Sequence, residues 1–184
     1  MRASMRWAAA AAVLGLAACG GGDDEKATAP GEAAAPSNRT LAASVADSGE
    51  LGALERVLAN AGLNTVLEGT GPYTVFAPND AAFTAAGGAD LGTEAMKAQA
   101  AALLRAHIVP GALTRADIEA AMARGGSGTV EMRTMANTLL TFSREGEAIV
   151  VAGEGGARGR LAGQETVASN GVVQPVDGVL ARGA

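Results

Sequence analysis

Tyr73-Thr74-Val75-Phe76-Ala77-Pro78-Asn79-Asp80-Ala81-Ala82-Phe83 is the stretch on which the fold turns. Its first half gathers β-branched and aromatic residues as a buried strand does, and Pro78, with no amide hydrogen, stops that strand. Asn79 then heads a short alanine-rich helix, where its side-chain oxygen can accept from an otherwise orphan amide, a cap worth ~1 kcal/mol. Asn79 and Asp80 could instead form a ligand or metal pair. Their capping preference accounts for both without one, and the structural reading is preferred.

Upstream of this corner, Leu41 and Val45, then Leu51, Leu54, Val57 and Leu58, recur at three- and four-residue spacing as far as Gly62, which predicts core-facing helix. Leu63 to Leu67 continues as a short helical or extended piece before the turn Gly69-Thr70-Gly71-Pro72. Downstream, Thr93 to Ala106 predicts a helix with Met96, Ala100, Leu103 and Leu104 on one face. It runs into His107-Ile108-Val109-Pro110-Gly111, a strand fragment closed by a turn. Thr114 and Asp117 have the capping-box spacing at the head of the next helix, which turns Ile118 and Met122 to the core and ends at Gly125-Gly126.

After Gly128 the texture changes to short β-like runs: Thr129 to Met132, Asn137 to Ser143, Ala148 to Val151, and Gly171 to Leu180. The second and third read as a hairpin across Arg144-Glu145-Gly146-Glu147. Gly153 to Gly163 is glycine-rich and reads as a mobile loop, with anion binding by Arg158 and Arg160 as a lesser reading. It is not a dinucleotide motif, because Arg158 stands where a third glycine is needed, and it lacks the GK[ST] of a phosphate loop. Helices precede strands, so the fold class is α+β.

Several chemistries are disfavoured. The formal charge is −5 and no basic run occurs, which argues against nucleic acid as a partner. His107 is the single histidine, and no orienting carboxylate or nucleophile is visible beside it. The serines lack the context of a nucleophile elbow, and no cluster has metal-ligand spacing. We therefore expect no catalytic residue, no metal and no cofactor, with His107 hydrogen-bonded inside the fold.

The N-terminus reads as an address and a tether. Arg2 and Arg6 precede an apolar run from Trp7 to Leu16, too short for the ~20 residues of a membrane-spanning helix, and Leu16-Ala17-Ala18-Cys19 forms a small-residue cleavage site. Leu16 to Cys19, followed by Gly20-Gly21-Gly22, resembles the bacterial lipobox. The resemblance implies a signal peptide over 1–18 and acylation of Cys19, the single cysteine, whose two or three chains would hold the lipid bilayer stably. Loss of Arg2 and Arg6 with the leader would take the charge to −7. Residues 19–38 then form a disordered linker of about 25 Å root-mean-square span. The expected location is the periplasmic face or cell surface, with the outer membrane favoured in a Gram-negative cell, since Gly20 rather than Asp follows the cysteine.

Three segments in order resemble the fasciclin domain over about residues 40 to 182. TVFAPNDAAF (Thr74 to Phe83) is similar to the family's TVFAPTDAAF, LLRAHIVPG (Leu103 to Gly111) to its YHIVPG element, and SNGVVQPVDGVL (Ser169 to Leu180) to its SNGVIHVIDGVL. The resemblance implies a wedge of short strands packed with several helices over residues 39–184, with Tyr73 to Phe76 and Val172 to Leu180 paired in the core. It also implies an adhesion or protein-interaction role with an unidentified protein or matrix partner. An alternative is a small apolar ligand, lipid, polyene or sugar, in a groove of the wedge. Ala106 stands where the family often has tyrosine and Gln174 where it often has histidine. His107, Asp117, Ile118, Arg158 and Arg160 make up the candidate interaction surface, Asp117-Ile118 because it resembles the family's acidic-isoleucine dipeptide.

Overall fold

The computed structural model describes residues 36–181. The expected signal peptide, Cys19 and most of the expected linker lie outside the described residues. Of the linker's last residues, Ser37 is already bound to the fold, its amide donating to the Val167 carbonyl at 2.8 Å.

The helical half begins with α1 (Leu41–Ala46), capped by the Thr40 hydroxyl, which accepts from the Ala43 amide at 3.3 Å. The chain breaks over Asp47 to Leu51 before α2 (Gly52–Ala61). Leu51, at the head of α2, has no side-chain acceptor. Asp80 supplies one from 27 residues away, its Oδ1 accepting from the Ala53 amide at 2.7 Å. α2 closes on Gly62 at φ 70°, in the left-handed region that glycine enters without steric cost. α3 (Asn64–Glu68) follows and leads into β1 (Tyr73–Pro78). Asn79 caps α4 (Asp80–Ala85) as expected, its Oδ1 accepting from Ala82 at 2.8 Å.

The helix expected over Thr93 to Ala106 is shorter than the spacing implied. Glu94–Met96 is a 3₁₀ turn, and α5 spans Lys97–Arg105. Thr93 does not cap, because its hydroxyl points backwards and donates to the Asp90 carbonyl at 2.7 Å. β2 (Ile108–Pro110) and α6 (Arg115–Arg124) follow, and Thr114 and Asp117 form the complete capping box on α6. The remaining strands are β3 (Val130–Arg133), β4 (Leu139–Glu145), β5 (Ala148–Ala152), β6 (Arg158–Arg160), β7 (Thr166–Ala168) and β8 (Gly171–Val176).

These strands form two four-stranded sheets, in the orders β2-β1-β8-β7 and β3-β4-β5-β6. The deciding strand β1 is central in the first. It pairs antiparallel with β2 and parallel with β8, from Tyr73 opposite Gly171 to Pro78 opposite Val176. The pairing implied for Tyr73 to Phe76 is present, while Leu180 lies beyond the strand. Because side chains alternate across a strand, β1 serves two cores. Val75 and Ala77 join Leu41, Leu54, Leu58 and Leu104 under the helices. Phe76 points the other way, toward Ile118, Leu140, Phe142 and Val151, and its ring centroid lies 5.1 Å from that of Phe142. The layers are therefore helices, first sheet, second sheet with α6.

The glycine-rich stretch 153–163 differs from the expected mobile loop. It contains β6, paired antiparallel to β5 from Val150 opposite Arg160 to Ala152 opposite Arg158. Two of its glycines, Gly153 and Gly159, provide close approach, while Gly155, Gly156 and Gly163 take positive φ in the turns. A Cβ on Gly159 would sit 2.9 Å from the Gly178 nitrogen, and one on Gly153 would collide with the Leu180 carbonyl. A further link is Leu161, which bridges to Val176, so this segment ties the two sheets together.

Candidate interaction surface and groove

His107 follows α5 directly and is buried, with 1% of its surface exposed. Its Nδ1 lies 2.8 Å from the Leu103 carbonyl and its Nε2 accepts from the Leu180 amide at 2.8 Å. The first contact requires a proton on Nδ1, so the neutral ring with a bare Nε2 satisfies both. Burial pushes the imidazole pKa down from 6.5 to about 4, against a smaller upward pull from the Leu103 carbonyl. The hydrogen-bonded interior role expected from the sequence is thus present. As part of an exposed surface His107 needs correcting, because its ring closes the joint between α5 and the last described residues.

Ile118 is corrected for the same reason: it is fully buried in the second core. Asp117 beside it is exposed and bound to its own helix, its Oδ2 accepting from the Thr114 hydroxyl at 2.6 Å and the Thr114 amide at 3.0 Å. Those two bonds, the hydroxyl's first, hold the carboxyl below the usual carboxylate range. Arg158 and Arg160 are exposed on β6. Arg158 reaches Glu145 at 2.5 Å, and the Arg160 amide donates to Asp177 Oδ1 at 2.5 Å. The structure does not bring the five candidates into one patch: two are interior, Asp117 caps a helix, and the arginines flank the sheet joint.

Two features escaped the sequence reading. The first is a polar knot around Gln174, which is fully buried on the face of β8 turned toward α6. Its Nε2 donates to Glu165 Oε2 at 2.5 Å and to the Leu113 carbonyl at 3.1 Å, while its Oε1 accepts from Arg115 Nε at 3.3 Å. Glu165 Oε2 also accepts from the Arg115 amide at 2.7 Å, placing a carboxylate at the start of α6. Glu165 and Arg115 are 50 residues apart, so no local spacing announces the pair. Gln174 replaces a ring the family often has there with an amide that still donates and accepts.

The second feature is a groove. A cavity of about 590 Å³ lies between α4, α5 and residues 177–181, with Phe83, Leu91, Met96, Leu103 and Val179 among its walls. A second hollow of about 530 Å³ shares Leu103 and Ala181 with it and runs past Ala106, Ala136 and Thr138. Much of the lining is alanine and glycine, which leaves width between the helices. The space beside Ala106 lies where a tyrosine ring would project in the family pattern. Among the described residues no group of acidic, histidine or cysteine side chains could hold a metal ion, and no helix is long and apolar enough to cross a membrane.

Residues 49–182 match the family model described as Fasciclin domain. The chain is 31% identical over 145 residues to Stabilin-1 of Homo sapiens, a match covering 77% of this chain and 5% of that protein. A solved FAS1 domain pair from the insect cell adhesion molecule fasciclin I superposes with a TM-score of 0.66 at 16% identity, over 78% of this chain and 51% of that one. The chain therefore corresponds to a small part of Stabilin-1 and about half of the domain pair. With the β1–β8 register and the family match agreeing over the same residues, the chain belongs to the fasciclin domain family.

Proposed function

We propose that this chain is a non-catalytic interaction module held at a membrane surface by an acylated Cys19, with a protein or matrix partner. The observation that carries the non-catalytic part is His107. The single imidazole of the chain is buried with both ring nitrogens occupied, so a general base there would have to break the joint that it closes. Support for the interaction role comes from the family, whose fold is also that of an insect cell adhesion molecule. Crosslinking on intact cells, followed by capture of the full chain, tests this role. Recovery of a defined protein or matrix component supports the reading, and a hydrolytic rate that follows the purified chain sinks it.

The tether has its own test. Cys19→Ser should move most of the protein from the membrane pellet to the soluble fraction, since at ~0.8 kcal/mol per buried methylene the acyl chains would dominate the partition. If the variant still pellets, Cys19 is not the anchor.

The groove supports a second reading, binding of a small apolar ligand. Its volume lies within the ~300 to 1,000 Å³ usual for ligand sites, and Phe83, Leu91, Met96, Leu103 and Val179 give it an apolar side. Protein extracted without denaturation should then carry a lipid or polyene visible by mass spectrometry. Ala106→Tyr, which fills the hollow, should reduce the bound amount about tenfold or more, because a filled pocket loses the buried contact area. Equal loading of the variant would exclude the second hollow, which Ala106 lines, as the site.

A further inference from the structure

We infer that β3 is a self-complementary edge through which two copies of this chain pair about a two-fold axis at Met132. The second sheet ends at β3, whose inner neighbour is β4. Backbone groups of successive strand residues point to opposite sides. Thr134 donates inward to Thr138 at 2.9 Å and Met135 donates outward to Ile108 of β2 at 2.8 Å, which fixes the phase. Glu131 and Arg133 therefore turn their amides and carbonyls outward, and among the described residues no backbone partner meets them. The edge is open from Val130 to Arg133 and closed beyond by β2.

Charges on an edge strand normally discourage pairing with another chain. Here they stand two residues apart and are opposite in sign. In an antiparallel pair centred on Met132, Glu131 of one copy faces Arg133 of the other, and the two-fold repeats the contact. Both side chains are exposed and lie on the outer face of the sheet. Glu131 has no side-chain partner among the described residues. Arg133 uses only Nη1, on the Asn137 carbonyl and Oδ1 at 3.1 and 2.9 Å, so its remaining N–H groups are available to a carboxylate.

The backbone agrees with this register. Residues 131 and 133 of opposing strands would each exchange both backbone hydrogen bonds, four in all, leaving Met132 opposite Met132 in the close, non-hydrogen-bonded position. Val130 and Met132 are half-buried at the rim of the second core, and a second copy would complete their cover. Beside Arg133 on the outer face is Leu139, the large apolar residue the described chain leaves exposed, at 37%. The result is a continuous eight-stranded sheet across two copies.

The test uses the full-length chain carrying Cys19→Ser, which removes its single native thiol. Sedimentation equilibrium should show a monomer–dimer equilibrium. Glu131→Arg should weaken it about tenfold or more, since two attractive pairs become repulsive. Adding Arg133→Glu to Glu131→Arg should restore it, because the swapped charges face each other again. Mild oxidation of Met132→Cys should trap a covalent dimer, with the two Cα atoms about 4.5 Å apart, whereas Ser143→Cys, on β4 one strand inward from β3, should not trap one. A chain that stays monomeric, a dimer indifferent to Glu131→Arg, or equal trapping at both thiols would each overturn the proposal. Glu131 and Arg133 are exposed, so circular dichroism of their variants should match that of the parent and the equilibrium remains readable even if Met132→Cys misfolds.

Discussion

Gly171→Ala should destabilise the fold by about 4 kcal/mol or more, a large share of the stability of a domain this size. Gly171 opens β8 at φ 154°, where its Cα lies directly against β1. A Cβ there would collide with the Tyr73 carbonyl and stand 2.9 Å from the Leu41 side chain. Neither neighbour can yield, since one belongs to the central strand and the other is a fully buried anchor of α1. Urea denaturation reads the effect as a large fall in midpoint. A loss below about 1 kcal/mol would mean that β1 and β8 do not meet in this register. Gly62→Ala is the comparison. Gly62 also has positive φ, but its Cβ would meet nothing within 4 Å, so only the backbone cost of about 1 kcal/mol applies.

Acid should remove about 3 kcal/mol through His107 alone. The imidazole has a pKa of about 4 in the fold against 6.5 ordinarily, so the unfolded chain takes up the proton first. Stability is complete above pH 6.5 and falls as pH drops toward 4, where the folded ring is also protonated. Burial of the charged ring is the main cause, and the hydrogen-bond geometry acts in the same direction. A proton on Nε2 abolishes the acceptor for the Leu180 amide and leaves two donors facing each other. The Asp117 carboxyl acts in a separate, more acidic window, because its pKa is lowered from 3.8. Replacing the imidazole, His107→Ala, should cost about 2 to 4 kcal/mol at neutral pH, from the cavity and the orphaned Leu180 amide. The same variant should also flatten the pH dependence between 6.5 and 4. An unchanged slope would show that His107 is not the titrating group.

What could be read from the sequence follows a physical boundary. The Asn79 cap, the Thr114–Asp117 box, the close of α2 at Gly62 and the apolar faces of α2 and α5 depend on neighbours within four residues. Local spacing carries that information. The β1–β8 pairing crosses almost a hundred residues, and it was anticipated through resemblance to a family rather than through periodicity. Asp80 shows where local reading stops. Its place in the first turn of α4 accounts for the residue type, yet its carboxylate also supplies the start of α2. The pairing of β6 was hidden because glycines chosen for close approach to Gly178 and Leu180 look, in one dimension, like glycines chosen for flexibility. Of the three residues carried over for their family motifs, Asp117 is exposed, as are the two arginines, whereas His107 and Ile118 are interior. A motif conveys that a position matters without conveying which way its side chain faces.

The contact of Ser37 to Arg39 with the rim of the first sheet has a mechanical consequence. Ser37 donates to the Val167 carbonyl, and the Ser169 amide donates to the Arg39 carbonyl at 2.7 Å. Tension arriving along the chain from its N-terminal side therefore loads the outer edge of β7 before it reaches α1. Beyond β7 the load passes to β8 and then to β1, the strand buried on both faces. A module anchored from that end would yield first by loss of this short strap, lengthening by a few residues while both cores stay intact.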